Sequence, residues 1–205
     1  MNNELGIMNK ELRVGKIKFI FIVLIILIIG IIGWLIFSGN YPVVIINWRI
    51  ITMKNFNESY AASLNYYKQT QRVYGGDSQL LRSEEVKNEI KRALLTSLIE
   101  DVLIDGELRK EVKSADLERM VNNKIDNIKQ DENTKKAAEI LYGFSYEIFE
   151  EKVLAPMAKK EILGGRLYLN SKNIDDYLKE VRKKAKIIIL LPGFDWNGKE
   201  VIIRN

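Results

Sequence analysis

The chain has 205 residues, 47% of them hydrophobic and 29% charged, with 32 Lys and Arg against 27 Asp and Glu and with no cysteine or histidine. That length fits one globular domain with an appendage. The missing thiols and imidazoles exclude Cys/His catalysis, thiol redox chemistry, structural zinc and the common transition-metal sites. Carboxylates, lysines and hydroxyls are left for any chemistry, and no cofactor or metal is expected.

Residues 19–37, FIFIVLIILIIGIIGWLIF, carry no charge over 19 positions. As a helix the run is about 28 Å long, enough to cross a hydrocarbon core. It exceeds the core of a typical secretory signal, and Ser38, Gly39 and Asn40 form no clear cleavage site. The reading therefore favours an uncleaved signal anchor over a cleaved signal or a buried core helix. Lys10, Arg13, Lys16 and Lys18 against Glu4 and Glu11 give the preceding tail a net +2, while the first basic residue beyond the run is Arg49. By the positive-inside rule the N-terminus is cytoplasmic. The expected organisation is a cytoplasmic tail over 1–18, a single-pass span in the cell membrane over 19–37, and an extracytoplasmic domain over 38–205. The remaining +3 of the chain's +5 is scattered, so no nucleic-acid partner is expected.

The external domain opens with PVVIINWRII over 42–51, a β-branched run read as one strand with a turn or bulge at Asn47 and Trp48. Residues 54–73 place Phe56, Tyr60, Ala61, Leu64 and Tyr67 near a helical period, ended by Gly75-Gly76-Asp77. Ser83 with Glu84 and Glu85 opens a long helix to about Val112, its hydroxyl offered as a cap. That helix carries apolar residues on more than one stripe, so it is expected to be central and packed on two sides. Ser114 caps the next, through Leu117, Met120, Val121, Ile125 and Ile128. A polar turn over 130–136 precedes a short helix from Ala137 to Tyr142. Ser145 then opens a helix to about Leu169 that Pro156 should bend.

Asn173 with Asp175 and Asp176 caps a last helix, whose terminal cations suit its dipole. Lys186 to Leu191 reads as a strand, and Asn197-Gly198 predicts a type I′ hairpin returning through Val201 to Ile203. With Val43 to Ile51 these make a three-stranded antiparallel sheet joining the two ends of the domain. Phe194 and Trp196 are expected to pack near that sheet. The fold class is mainly α, a helical domain with a small sheet.

Residues 43–52, VVIINWRIIT, resemble the opening strand of the SurA and PrsA family of extracytoplasmic folding factors, where a valine run usually precedes Asn-Gly. Residues 91–110, KRALLTSLIEDVLIDGELRK, are similar to that family's central helix. Val112-Lys113-Ser114 with Asp116 and Leu117 looks like its following junction, and residues 144–149, FSYEIF, its Leu-Ser-x-Glu-x-Phe step. The resemblance covers about residues 43–170 and implies a SurA N-like chaperone domain. Asn47-Trp48 departs from the family's Asn-Gly. After Asn170 too few residues remain for a parvulin isomerase domain, and the chain has no histidine for one, so prolyl isomerase activity is not expected.

The resemblance implies an apolar surface for unfolded or nascent extracytoplasmic polypeptides, held without ATP. Candidates for client contact are Tyr60, Tyr67, Met120, Val121, Phe144, Tyr146, Phe149 and Met157; each is also, as part of a helical stripe, an ordinary core side chain. The alternative is a structural or assembly protein docking one defined envelope partner. Catalysis is not supported. The adjacent acids Glu84/Glu85, Glu100/Asp101, Glu150/Glu151 and Asp175/Asp176 diverge by about 100° on a helix, and Gly75-Gly76 and Gly164-Gly165 lack a phosphate-loop frame.

Overall fold

The computed structural model describes residues 21, 23–75, 78–129 and 131–204. The chain divides into two compact units, 1–41 and 42–205. In the first, residues 23–37 are helical, and Ser38 Oγ donates to the Leu35 carbonyl at 3.2 Å where the helix ends. Apolar side chains are exposed all round this helix, Phe37 at 94%. Among the described residues no helix is long and apolar enough to cross a membrane. The expected tail over 1–18, and Phe19, Ile20 and Ile22 of the expected span, lie outside the described residues.

The second unit is mainly helical with small antiparallel sheets. It opens with strands β1 (Pro42–Ile46) and β2 (Arg49–Thr52), paired through Ile45↔Ile50 and Ile46↔Arg49. The expected single strand is therefore a hairpin. Asn47 and Trp48, at φ 45° and 73°, both take the positive values that a two-residue type I′ loop requires. Thr52 ends β2 and caps helix α1 (Met53–Tyr74), its Oγ1 accepting from the Asn55 amide at 3.2 Å. Gly75, at φ 69°, terminates α1 in the left-handed conformation.

A 3₁₀ turn (Ser78–Arg82) leads into the long helix α2 (Glu84–Glu111), then α3 (Ser114–Lys129) and α4 (Glu132–Ala137), which runs into a π-helical turn at Ala138–Tyr142. The segment expected as a polar turn thus already holds α4, because the Asp131 carboxylate caps it by accepting from the Asn133 amide at 3.1 Å. Helix α5 (Tyr146–Phe149), a π-helical turn (Glu150–Leu154) and α6 (Ala155–Leu169) form one helical run. Pro156 stands at the start of α6, where the widened turn absorbs its missing donor. Two expected caps differ. Ser83 makes no side-chain cap bond, and the Ser114 hydroxyl accepts from Arg109 Nη1 at 2.7 Å, while the Lys113 carbonyl starts α3. Asn173 caps α7 (Ile174–Lys184) as expected, its Oδ1 accepting from the amides of Asp175 and Asp176.

Strands β3 (Ile187–Ile189), β4 (Phe194–Trp196) and β5 (Val201–Ile203) complete the chain. The two ends of the domain do meet in a three-stranded antiparallel sheet, but its order is β2-β1-β3, and β4 and β5 form a separate pair. Phe194 and Trp196 are strand residues of that pair. Asn197-Gly198 does not make the type I′ loop: only Gly198 has positive φ, and Asn197 Oδ1 instead accepts from the Lys199 and Glu200 amides at 2.9 Å.

Helix α2 is the central element. It buries Ile90, Leu95, Ile99, Leu103, Ile104 and Leu108 and packs against α1, α6, α7, β1 and β5. Its second half enters a helical core with Leu117, Val121 and Ile125 of α3, Ile162, Leu163 and Leu167 of α6, and Leu178 of α7. Asp105 ties this half together. Its Oδ2 accepts from Arg49 of β2 and from Arg109, each at 2.6 Å, and its Oδ1 from Lys159 of α6 at 2.8 Å. Burial opposes ionisation of Asp105, but these three cationic donors outweigh it and hold the carboxyl well below the usual range.

Candidate client-binding surface

The first half of α2 is packed differently. The left-handed Gly75 stops α1, and the 3₁₀ turn then carries Leu80 and Leu81 across the gap to α2. What results is an open groove of about 530 Å³ between the end of α1, the turn and the start of α2. Its apolar walls are Tyr67, Leu80, Leu81, Val86, Ile90 and Ala93, with Glu85, Glu89 and Arg92 at the polar edge. Leu80 is 56% and Tyr67 43% exposed, so the groove has apolar surface that the fold leaves uncovered. Gln71 also lines it, and its Oε1 is buried with no hydrogen-bond partner among the described residues. An unsatisfied buried acceptor costs about 1–3 kcal/mol, a penalty that an incoming N–H donor removes.

Tyr67 connects the groove to a row of rings. It meets Tyr66 edge-on at 6.1 Å, Tyr66 stacks on Tyr142 at 5.3 Å, and Tyr142 packs on Phe149 at 5.2 Å. Burial pushes the Tyr142 hydroxyl above its ordinary range, with the neighbouring Tyr66 adding to the effect. Asn65 fixes the same junction, its Nδ2 donating to the carbonyls of Ile140 and Leu141 at 3.1 Å each. The π-helical turn thus has its free carbonyls taken by a side chain of α1, which holds the groove wall against the rest of the domain.

The eight residues named from sequence are spread over four settings. Tyr67 alone among them lines the groove. Tyr60 is half-buried between α1 and α2, stacked on Phe56 at 6.0 Å with Lys91 Nζ 5.7 Å above its ring. Val121 and Phe149 are core side chains, and Met120, Phe144 and Tyr146 pack partly buried against that core. Met157 is 58% exposed on α6. Gln71, Val86 and Ile90 are legible from sequence as helical-stripe positions, but none of them, nor Leu80, Leu81 or Ala93, is named there as a client contact. The signal for them was the Leu80-Leu81 pair, two large apolar residues between a glycine stop and a helix start, where a connection is usually polar.

Fold and groove together define a mainly helical domain, closed by strands from both of its ends, with an apolar concavity left open on its central helix. The model of the SurA-like N-terminal domain family matches residues 5–138, more than half of the chain, and the chain belongs to that family. The family's domain is a non-catalytic one of chaperone type, and no parvulin domain is detected. No curated protein and no solved structure matches the chain.

Proposed function

We propose that this is a membrane-anchored, ATP-independent chaperone-like protein that binds unfolded or emerging polypeptides outside the cytoplasmic membrane. The groove carries the reading. Its exposed Leu80 and Tyr67 offer apolar contact without a shaped pocket, and Gln71 Oε1, buried without a partner among the described residues, is an acceptor that a rotation of its side chain would present to the backbone N–H of an extended segment. Contacts of this kind are weak and tolerant of sequence, as holding many clients demands.

Anchoring rests on separate observations. The uncharged run over 19–37 is long enough to span, and the tail before it is the basic side. A helix apolar on every face, such as residues 23–37, calls for lipid or protein around it. The family match begins at residue 5 and so includes the run.

The test uses the full chain in lipid nanodiscs. It is expected to slow the aggregation of several unrelated unfolded proteins at near-stoichiometric amounts, without ATP. Inactivity against all of them, with tight capture of one native protein, would establish the docking alternative instead. Protease added to intact protoplasts is expected to degrade residues 38–205; full protection would reverse the orientation.

A further inference from the structure

Among the described residues, one row of the three-stranded sheet is left largely uncovered. Alternation along the strands turns Val44, Ile51 and Ile189 inward, at 0%, 2% and 7% exposure. The adjacent row points the other way: Ile50 of β2, Ile45 of β1 and Ile188 of β3 are directly paired, with Ile50 57% and Ile188 56% exposed. Leu190, two residues beyond Ile188, is 48% exposed, and its amide donates to the Val43 carbonyl. At the tip of the β1–β2 hairpin stands Trp48, 96% exposed.

Trp48 is costly where it is. Its φ of 73° is a left-handed conformation that glycine takes freely and a side chain takes at about 1–2 kcal/mol. At 96% exposure its ring recovers little of that by packing among the described residues. Strain kept at an exposed aromatic points to a contact outside the protein.

We infer that this sheet face, with Trp48 at its edge, lies against the surface of the bilayer that holds the anchor. The inference rests on the anchor proposed above. Only Ser38, Gly39, Asn40 and Tyr41 separate the end of the apolar run from β1, at most about 14 Å of extended chain, so β1 starts close to the lipid. Isoleucine and tryptophan side chains suit the interfacial layer. No residue of the three strands or of the Asn47-Trp48 turn is acidic, while Lys184 at the end of α7 and Lys186 just before β3 are exposed, and the Lys186 amide donates to Asn47 Oδ1 at 2.8 Å. Such an edge favours an anionic headgroup layer.

Trp48 itself is the probe. The full chain carrying Trp34→Phe and Trp196→Phe is reconstituted in vesicles of equal phosphatidylcholine and phosphatidylglycerol. Emission from Trp48 is expected to shift to the blue relative to the chain in detergent. Lipids brominated near the headgroup should quench it several-fold more than lipids brominated at the chain end, and acrylamide should quench it less than in detergent. Ile50→Glu with Ile188→Glu should abolish the lipid quenching. Trp48→Gly in the unaltered chain relieves the left-handed backbone, and the component quenched by headgroup-brominated lipid should be lost from its spectrum while the emission of Trp34, within the apolar run, remains.

Equal acrylamide access in vesicles and detergent would overturn the inference. So would protection from acrylamide without lipid quenching, the mark of a second copy or a client on this face, and so would quenching that survives the two glutamates. Flotation of the same vesicles reads the anchor independently: a chain that fails to float refutes the anchor and this inference together, and one that floats with Trp48 open to water refutes this inference alone.

Discussion

The two halves of α2 contrast sharply although they belong to one helix. From Ile104 onward it is enclosed by α3, α6 and α7 and locked by Asp105; from Glu84 to Ala93 it borders an open groove beside a 3₁₀ turn. The difference teaches where the fold's stability is concentrated and where its yielding surface lies, since the elements that bind are drawn from the less enclosed parts of a structure. Truncation in the enclosed half breaks the contrast most severely. Leu108, 1% exposed, has neighbours on several helices that cannot collapse together, so Leu108→Ala is expected to cost about 2–5 kcal/mol, read as a lower urea midpoint. If Leu80→Ala cost as much, the two halves would not differ in enclosure.

The next largest effects come from two carboxylates one helical turn apart. Asp105→Asn leaves Arg49, Arg109 and Lys159 facing one another without their shared anion. The expected loss is about 2–3 kcal/mol at neutral pH, below the full penalty of a buried pair because the three cations are partly exposed. Its carboxyl is depressed by its partners, so its contribution is present above the unfolded value near pH 4 and fades as pH falls below it. Asp101 behaves oppositely. Burial, with Glu100 adding to it, pushes its carboxyl up to about 6, against the pull of Lys160 and Lys159. The folded state therefore binds this proton more tightly than the unfolded chain, and the stability it supplies is complete below about pH 4 and lost as pH rises to about 6. Asp101→Asn is expected to stabilise the protein by about 1–3 kcal/mol at pH 7 and to lose that advantage at pH 4. Urea midpoints of the two variants between pH 3 and pH 8 should diverge from the wild type in opposite directions at neutral pH.

Much of this domain was legible because long, periodic or capped segments leave little choice. The central role of α2 followed from its second apolar stripe, and α7 from Asn173 and the two aspartates behind it. The turns were harder, because the chemistry of a dipeptide competes with the register of the strands around it. Asn197-Gly198 has the type I′ composition but sits in a longer connection, where the Asn197 side chain takes two amides and sets a different loop. Asn47-Trp48 lacks that composition, yet the pairing of Ile46 with Arg49 leaves two residues to turn in, and Trp48 accepts the strain. The resemblance to the SurA-like family was likewise readable from residues. The groove was not. Its walls come from three elements, and which apolar stripe stays uncovered depends on packing between helices, which no single stripe encodes.

The smallest changes in stability test the open half most directly. Gln71→Leu replaces a buried acceptor that has no partner among the described residues with an apolar side chain of similar size, so folding should be unchanged or improved by about 1 kcal/mol. Leu80→Glu alters an exposed side chain and is expected to stay within about 0.5 kcal/mol of the wild type. Capture of unfolded clients should nonetheless fall in both, because Leu80→Glu places a charge where an apolar segment would lie and Gln71→Leu removes the acceptor for its backbone. The two losses are of different kinds. Leu80→Glu should weaken binding of apolar segments, and added salt should not restore it, since the defect is a desolvated charge. Gln71→Leu should weaken segments with free backbone amides while leaving N-methylated versions of the same segments unaffected, since those have no N–H to donate. A Gln71→Leu protein that held amide and N-methylated segments equally to the wild type would show that Oε1 is buried away from the client, and would leave the groove as an apolar contact alone.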